Sequence, residues 1–116
     1  MTTKQAVKTM VLALEDKKAQ DVQTLQVENL TTLADYFVLC SGSSGPQLRA
    51  LAENVEKKMK EEYGVLPHHT EGYPANSWIL LDYGFALVHI FDKETRAFYG
   101  LDKLWADAAP VDPTAW

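Results

Sequence analysis

The sequence predicts an α/β fold of the α+β type, with helices packed on one small mixed β-sheet. Apolar residues recur at helical spacing near the start and in the middle of the chain, which indicates two amphipathic helices. Between and after these helices, short apolar or alternating segments indicate two separate strands and a hairpin. With 116 residues, the chain is long enough to form one domain with its own core.

The chain begins with a helix that is followed by two strands. Residues 4–18 form the first predicted helix, because their apolar side chains recur at the spacing of one helical face. Residues 21–30 predict the first strand, since the side chains alternate from Val22 to Val27. Residues 35–41, "DYFVLCS", predict a second and more buried strand.

A second helix follows the Gly/Ser-rich segment "CSGSSGPQL" of residues 40–48. Ser44 and Gln47 match the spacing of a capping box, and Gly64 is expected to end this helix. Residues 65–76 are polar and contain a glycine and two prolines. They predict an exposed connection with a short strand at its start.

Residues 77–91, "SWILLDYGFALVHIF", predict a β-hairpin with Tyr83 and Gly84 as its two-residue turn. This turn pairs Asp82 with Phe85, Leu80 with Leu87, and Trp78 with His89. One face of the hairpin is then aliphatic, as a surface beneath helices should be: Ile79, Leu81, Ala86, Val88 and Ile90. The other face mixes aromatic and polar side chains: Trp78, Asp82, Phe85, Leu87, His89 and Phe91. This second face suits either a protein–protein interface or a cover of terminal helices that includes Trp105, and both readings remain open.

The C-terminal part of the chain consists of short elements. Residues 92–108 predict one or two short helices, interrupted near Gly100. Residues 109–116 contain two prolines, and we expect them to lack fixed structure. The expected domain is therefore residues 1–108, followed by a flexible C-terminal tail at residues 109–116.

Charge and composition restrict the expected partners and location. Sixteen acidic and eleven basic residues give a net charge of −5, which opposes nucleic acid as a primary contact. The one cysteine, Cys40, excludes a disulfide within the chain and favours a reducing compartment. No segment approaches the roughly 20 apolar residues of a membrane span. We therefore expect a cytoplasmic protein without a membrane partner.

The Gly/Ser-rich segment has two readings, a phosphate cradle or a helix start. A nucleotidyltransferase would also need paired carboxylates to hold Mg²⁺, and the neighbouring strand offers only Asp82, because Gly84 occupies the second position. The segment lacks the third glycine of a dinucleotide fingerprint, and Pro46 removes one backbone N–H. Initiation of a helix by Ser44 accounts for the same residues, and we favour that reading.

The sequence predicts no catalytic residue, cofactor or metal site elsewhere. His68, His69 and His89 lack a spacing that would converge on a metal. Cys40 has no base near it in the sequence and is interpreted as a small buried hydrophobic residue. We therefore expect a protein that is not an enzyme.

Several separated motifs along the chain point to one family. These are "ADYFVLCSGSS", Glu71-Gly72, "WILLDYG", "VHIF", Arg96, Tyr99 and "LDKLWADA". In this order they resemble the ribosomal silencing factor family, the RsfS or Iojap-like proteins, over about residues 5–108. The resemblance implies a sheet with nucleotidyltransferase-like topology that lacks the catalytic carboxylates and the transferase activity.

The resemblance also implies partners. Members of this family bind the large ribosomal subunit through ribosomal protein L-fourteen, block its joining with the small subunit when nutrients are scarce, and can form dimers off the ribosome. The positions that match the family motifs imply a contact surface for the ribosomal protein: Trp78, Asp82, Tyr83, His89, Phe91, Arg96, Tyr99, Leu104 and Trp105.

The sequence departs from the family pattern at one position of the hairpin. Phe85 stands where an acidic residue is common, which leaves Asp82 to carry the polar part of the contact.

Two other functions remain open at this point. A nucleotide-binding, nucleotidyltransferase-like enzyme is supported by "SGSSG" and opposed by the missing carboxylate, and a dimerisation adaptor is supported by the aromatic hairpin face.

Overall fold

The computed structural model describes residues 1–74 and 77–116. Its helices are α1 (Thr3–Asp16), α2 (Gly45–Tyr63), α3 (Lys93–Tyr99) and α4 (Leu101–Leu104), and a 3₁₀ turn spans Pro113–Ala115. Its strands are β1 (Gln20–Gln26), β2 (Tyr36–Gly42), β3 (His69–Glu71), β4 (Trp78–Asp82), β5 (Ala86–Asp92) and β6 (Ala109–Val111). These strands form one sheet in the order β3-β4-β5-β2-β1-β6, in which β2 and β5 are parallel and the other neighbours are antiparallel. The predicted fold class, a small mixed sheet with helices packed on it, is confirmed.

The two long helices begin at side chains that satisfy free backbone N–H groups. Thr2 forms a capping box with Gln5 at the start of α1. Ser44 accepts a hydrogen bond from the backbone N–H of Gln47 at 3.2 Å, and Gly64 ends α2 with a φ of +66°. Both predicted ends of α2 are thus confirmed. Within residues 1–74 and 77–116, no helix is long and apolar enough to cross a membrane.

The sheet separates two hydrophobic clusters. The larger one, here called the helical core, lies between the sheet and the helices α1 and α2, and its members include Leu14, Leu51, Ile79 and Val88. The smaller one, here called the aromatic face, lies on the opposite side of the sheet; it contains Phe37, Leu39, Leu87 and Phe91, with Trp78, Leu80, Leu101 and Trp105 packed against it. β2 is buried along its whole length because both clusters use its side chains. The predicted aliphatic face of the hairpin is confirmed as part of the helical core.

The hairpin of β4 and β5 has a register that differs from the predicted one. Trp78 pairs with Phe91, Leu80 with His89, and Asp82 with Leu87. The backbone N–H of Tyr83 donates to the carbonyl of Ala86 at 3.0 Å, so the turn residues are Gly84 and Phe85 rather than Tyr83 and Gly84. Gly84 has a φ of +84°, which suits the first position of a type II′ turn. Each residue's partner moves by two positions, and because side chains alternate with a period of two, the residues within β4 and β5 keep their predicted faces. Phe85 does not, because it lies in the turn and packs against the helical core rather than on the aromatic face.

The connection between α2 and β4 contains one strand, which lies later than expected. β3 pairs antiparallel with the end of β4, and the backbone N–H of His68 donates to the carbonyl of Asp82 at 2.7 Å. The sequence pattern had instead placed a strand at the start of residues 65–76. Ala75 and Asn76, which the predicted connection includes, lie outside the described residues.

The C-terminal residues extend the sheet, which differs from the expected flexible tail. β6 pairs antiparallel with β1, opposite Thr24 to Gln26. Beyond it, the ring of Trp116 packs edge to face on Tyr36 with centroids 5.7 Å apart, and Lys8 Nζ donates to the carbonyl of Trp116 at 2.7 Å. The prolines did not exclude a strand here, because Pro110 lies on an edge strand, where a missing N–H costs little. The sheet therefore continues past residue 108.

Candidate protein-binding surface

Trp78 lies at the centre of a group of rings on the aromatic face. Its ring centroid is 4.9 Å from that of Phe91 and 4.8 Å from that of Tyr99. Phe37 and Trp105 meet edge to face at 5.0 Å in the same cluster. Trp78 and Phe91 meet because β4 and β5 place them directly opposite each other, and α3 brings Tyr99 onto the indole.

His89 is a buried partner of Trp78, with only 6% of its surface exposed. The indole Nε1–H donates a hydrogen bond to Nδ1 of His89 at 3.2 Å, which requires a neutral imidazole that carries its proton on Nε2. Burial lowers the pKa of His89 to about 4, so the ring is neutral near neutral pH. Nε2 has no hydrogen-bond partner among the described residues. The hydrogen bond from Trp78 fixes the orientation of the indole on the sheet.

The helices α3 and α4 present large apolar side chains to solvent. Phe98 is 82% exposed, Leu104 is 70% exposed and Tyr99 is 55% exposed. We call these three residues the apolar patch. It is continuous with the aromatic face, since Tyr99 contacts the half-buried Trp78. An exposed apolar group beside partly covered aromatic rings is typical of a protein-binding surface.

Phe98 is a member of this surface that the sequence analysis missed. The signal was its position beside Tyr99 in a short helix, because adjacent residues point about 100° apart around a helix and cannot both face the sheet. The second hairpin face is partly covered within the chain, since Trp105 packs against it, and its role as an interface stays a prediction. Phe91 and His89 are buried, whereas Trp78 stays half-exposed.

Arg96 joins α3 to three other segments of the chain. Its guanidinium donates to the carbonyl of Asp21 at 2.8 Å and to Oγ of Ser41 at 3.0 Å. It also donates to both carboxylate oxygens of Asp102, at 3.3 and 3.0 Å. Only 12% of the Arg96 side chain is exposed. Arg96 therefore holds α3 and α4 against β1 and β2, and so positions the apolar patch.

Asp82 lies at the opposite end of β4 from Trp78. Its Oδ1 accepts a hydrogen bond from the backbone N–H of Gly84 at 2.8 Å, so the carboxylate stabilises the hairpin turn. The neighbouring Tyr83 is buried in the helical core, on the side of the sheet opposite to Trp78. Burial is the largest cause of its raised pKa, followed by the charge of Glu56.

The structure brings together most of the nine residues that the family motifs suggest. On the aromatic face or beside it lie Trp78, His89, Phe91, Tyr99, Leu104 and Trp105. Three of the nine are buried, namely Tyr83, His89 and Phe91, so in this conformation they support a contact surface and do not form it. Tyr83 differs most from the expectation, because its side chain lies in the other cluster.

The Gly/Ser-rich segment directs its polar groups to one another. Gln47 Oε1 accepts from the backbone N–H of Ser43 at 2.6 Å and from the Ser43 hydroxyl at 2.8 Å, while Ser44 caps α2. Cys40 is buried, and burial raises its pKa to about 12. In the part of the chain that the structure describes, no three His, Cys, Asp or Glu side chains are grouped to hold a metal ion. The interpretations of Ser44 as a helix cap and of Cys40 as a buried residue are confirmed.

The chain is similar to proteins of one family along most of its length. Residues 1–115 match the family described as ribosomal silencing factor during starvation, RsfS. A ribosomal silencing factor RsfS from Halalkalibacterium halodurans is 38% identical over 112 residues, which cover 97% of this chain and 95% of that protein. The chloroplastic protein Iojap of Zea mays is 29% identical over 100 residues, which cover 86% of this chain and 43% of that protein. A crystal structure of a Chromobacterium violaceum protein superposes with a TM-score of 0.88 at 34% identity, and the match covers 91% of this chain and 88% of that one.

Proposed function

The chain belongs to the family of ribosomal silencing factors, and we propose that it binds the large ribosomal subunit through ribosomal protein L-fourteen and so blocks joining of the small subunit. It would act in the cytoplasm and repress translation when nutrients are limiting. The action is binding alone, without catalysis, a cofactor or a primary contact to nucleic acid.

The apolar patch is the observation that carries this proposal. Phe98 and Leu104 are mostly exposed, and each leaves apolar area in water that a partner would bury. Burial contributes roughly 25 cal/mol per Å² of apolar surface before the costs of association are subtracted. Next to the patch, the exposed edge of Trp78 supplies the kind of side chain that dominates binding energy at interfaces.

The surface is also held in place before binding. The bonds of Arg96 fix the short helices, and the hydrogen bond to His89 fixes the indole of Trp78. A surface that is already ordered loses less conformational entropy when a partner docks. The buried residues of the family motifs thus contribute to the proposed contact indirectly.

Charge and size fit the proposed mechanism. The net charge of −5 favours a basic partner protein over the phosphate backbone of RNA. The body of the protein measures 33 × 32 × 25 Å, so a molecule seated on the joining face of the large subunit would keep the small subunit from its contacts by steric exclusion. This mechanism requires no nucleotide hydrolysis.

A homodimer off the ribosome is the second state that we propose. The apolar patch is large and exposed in the single chain, and a second copy could cover the same side chains that the ribosomal protein would cover. The two states would then be mutually exclusive. In sedimentation equilibrium, Phe98→Ser should weaken self-association and binding to the large subunit together, and an unchanged dimer would place the two contacts on different surfaces.

Co-sedimentation with purified ribosomal subunits, tested separately, is the experiment that decides the function. The protein should sediment with the large subunit and not with the small one. It should also slow subunit joining in light scattering without consuming GTP or ATP. A protein that sediments with neither subunit, or that slows joining only while nucleotide is hydrolysed, would overturn the proposal.

A further inference from the structure

A cleft with charged and polar side chains in its wall opens beside α3 and α4. It has a volume of about 390 Å³. Its wall includes Asp21, Ser41, Lys93, Arg96, Asp102 and Lys103. A volume of this size lies in the range of pockets that bind small molecules.

The cleft lies at the point of the sheet where the direction of the connections changes. β2 and β5 are parallel neighbours, and their carboxyl ends meet at the paired residues Ser41 with Phe91 and Gly42 with Asp92. β2 leads into α2, which packs in the helical core, whereas β5 leads into α3, which adjoins the aromatic face. Two helices that leave adjacent parallel strands toward opposite faces open a crevice between them, and open α/β sheets bind ligands in this crevice.

The charge of the cleft is opposite to that of the chain. Three cationic side chains and two carboxylates line it, which leaves one positive charge in excess in a protein with a net charge of −5. Arg96 and Asp102 neutralise each other at 3.0 Å. Among the ion pairs of residues 1–74 and 77–116, none involves Lys93 or Lys103. The two lysines therefore supply ammonium groups that a ligand could use.

Arg96 forms part of the wall of the cleft and uses four of its five N–H donors for hydrogen bonds within the protein. Its bonds to the carbonyl of Asp21 and to Oγ of Ser41 hold the irregular start of β1, where Asp21 has a φ of +50°. Ser41 is almost fully buried, and its hydroxyl is kept in place by Arg96. Arg96 therefore fixes this wall of the cleft, whereas Lys93 and Lys103 are exposed.

We propose that this cleft binds a small phosphorylated metabolite, with its phosphate groups held between Lys93 and Lys103. The cleft is too small for a macromolecule, and its excess of positive charge selects an anion over a cation. An ammonium group is a common phosphate ligand and acts as a point charge. This site is separate from the proposed ribosome contact, because none of the three residues of the apolar patch lines the cleft.

Isothermal titration calorimetry of the full chain at low salt tests the proposal, with inorganic pyrophosphate and ADP as the two probes. We expect one or both to bind in a 1:1 ratio, and the binding to weaken as salt is raised. Tighter binding of ADP would assign part of the cleft to the nucleoside, whereas equal binding would assign the whole affinity to the phosphates. A lack of binding by both probes would overturn the proposal.

Four variants separate this cleft from the rest of the surface. Lys93→Ala and Lys103→Ala should each weaken binding about tenfold or more, as the loss of a charge-assisted contact predicts. Ala97→Glu places a carboxylate in the wall of the cleft and should abolish binding. Lys57→Ala removes the same charge from the exposed face of α2 and should leave binding unchanged. Equal effects of Lys57→Ala and Lys93→Ala would show non-specific ion binding and overturn the site, and unchanged circular dichroism would confirm that each variant is folded.

Discussion

The indole Nε1–H of Trp78 donates a hydrogen bond to Nδ1 of His89, at 3.2 Å, on the side of the sheet that carries the proposed contact surface. The bond exists only while the imidazole is neutral, because a protonated histidine has no acceptor. Phe37 and Phe91 also lie against the His89 ring, with centroids 5.2 and 5.9 Å away. Neither ring can solvate a positive charge as water does. The protonation state of His89 is therefore linked to the stability of the aromatic face.

We expect the stability of the protein to fall as the pH drops below the ordinary pKa of histidine. Burial lowers the pKa of His89 from 6.5 to about 4, so the unfolded chain takes up this proton first. The contribution of neutral His89 to the free energy of unfolding is fully present above the unfolded pKa of 6.5, and it is lost as the pH falls toward about 4. Between about pH 7 and about pH 5 the loss should be on the order of 2 kcal/mol.

Urea denaturation at a series of pH values measures this effect. His89→Gln has no titrating ring and serves as the control, since its stability should change little above about pH 5, where most carboxylates remain ionised. Parallel pH profiles for the wild type and His89→Gln would contradict a buried neutral histidine.

Phe98→Ser should weaken binding to the large subunit and leave the fold intact. The side chain is 82% exposed, so its loss should change stability by no more than about 0.5 kcal/mol. If Phe98 is part of the contact, affinity should fall about tenfold or more, which corresponds to about 1.4 kcal/mol. Leu12→Ser is the matched control, because Leu12 is an exposed apolar residue on α1, on the other side of the sheet. Co-sedimentation at graded protein concentrations gives both affinities, and equal losses would place the contact elsewhere.

Arg96→Lys should destabilise the protein and weaken its binding to the large subunit, because α3 and α4 lose bonds that hold them in place. A lysine cannot reproduce the planar set of donors that reaches Asp21, Ser41 and Asp102 at once. We expect a loss of about 1.5–3 kcal/mol in stability, because the mostly buried side chain at position 96 and the buried Ser41 lose charge-assisted hydrogen bonds. Asp102→Ala should cost less, since Arg96 keeps its other two partners. Thermal denaturation of both variants tests this order, and a larger effect of Asp102→Ala would contradict the structural role of Arg96.

Local signals in the sequence were sufficient for the helices and for the faces of the hairpin. Ser44 and Gly64 define α2 because capping depends on residues within one helical turn. The division of the two strands of the hairpin into an aliphatic and an aromatic face follows from the period of two and holds in either register, whereas Phe85, in the turn, packs on the other side from the predicted one.

The features that the sequence did not predict depend on contacts between distant segments. Both Tyr83-Gly84 and Gly84-Phe85 could form a two-residue turn. The turn at Gly84-Phe85, which the structure has, allows Tyr83 to be buried against the helices. Strand β6 forms only because β1, more than 80 residues earlier, offers a free edge. For the proposed contact surface, motif positions suggested Tyr99 and Leu104, but the exposure of Phe98 depends on how α3 lies on the sheet. Helical spacing indicates only that Phe98 and Tyr99 cannot both face the sheet, and it does not say which of them is exposed.

Substitutions on adjacent residues of β4 should separate the two sides of the sheet. Ile79→Asp places an unpaired charge in the helical core, where burial of a charge costs several kcal/mol, and should unfold the domain. Leu80→Asp places the same charge on the half-buried aromatic face, where water reaches the side chain, and should give a folded protein of lower stability. Circular dichroism and thermal melting distinguish the two outcomes. A folded Ile79→Asp protein would mean that the two faces are reversed.

Two substitutions of Asp82 should separate its role in the turn from a charge contact with the partner. Asp82→Asn keeps an oxygen that can accept the Gly84 N–H bond and removes only the negative charge, whereas Asp82→Ala removes both. The turn hydrogen bond should contribute about 1 kcal/mol, so Asp82→Ala should melt earlier than Asp82→Asn. If Asp82 also faces a basic ribosomal protein, both variants should bind the large subunit more weakly, and the difference from the wild type should shrink as salt is raised. Phe98→Ser should instead show a loss of affinity for the large subunit that added salt does not reduce, because salt does not screen an apolar contact. Wild-type affinity of Asp82→Asn at low salt would assign Asp82 to the turn alone and leave the apolar patch and Trp78 as the whole of the proposed contact.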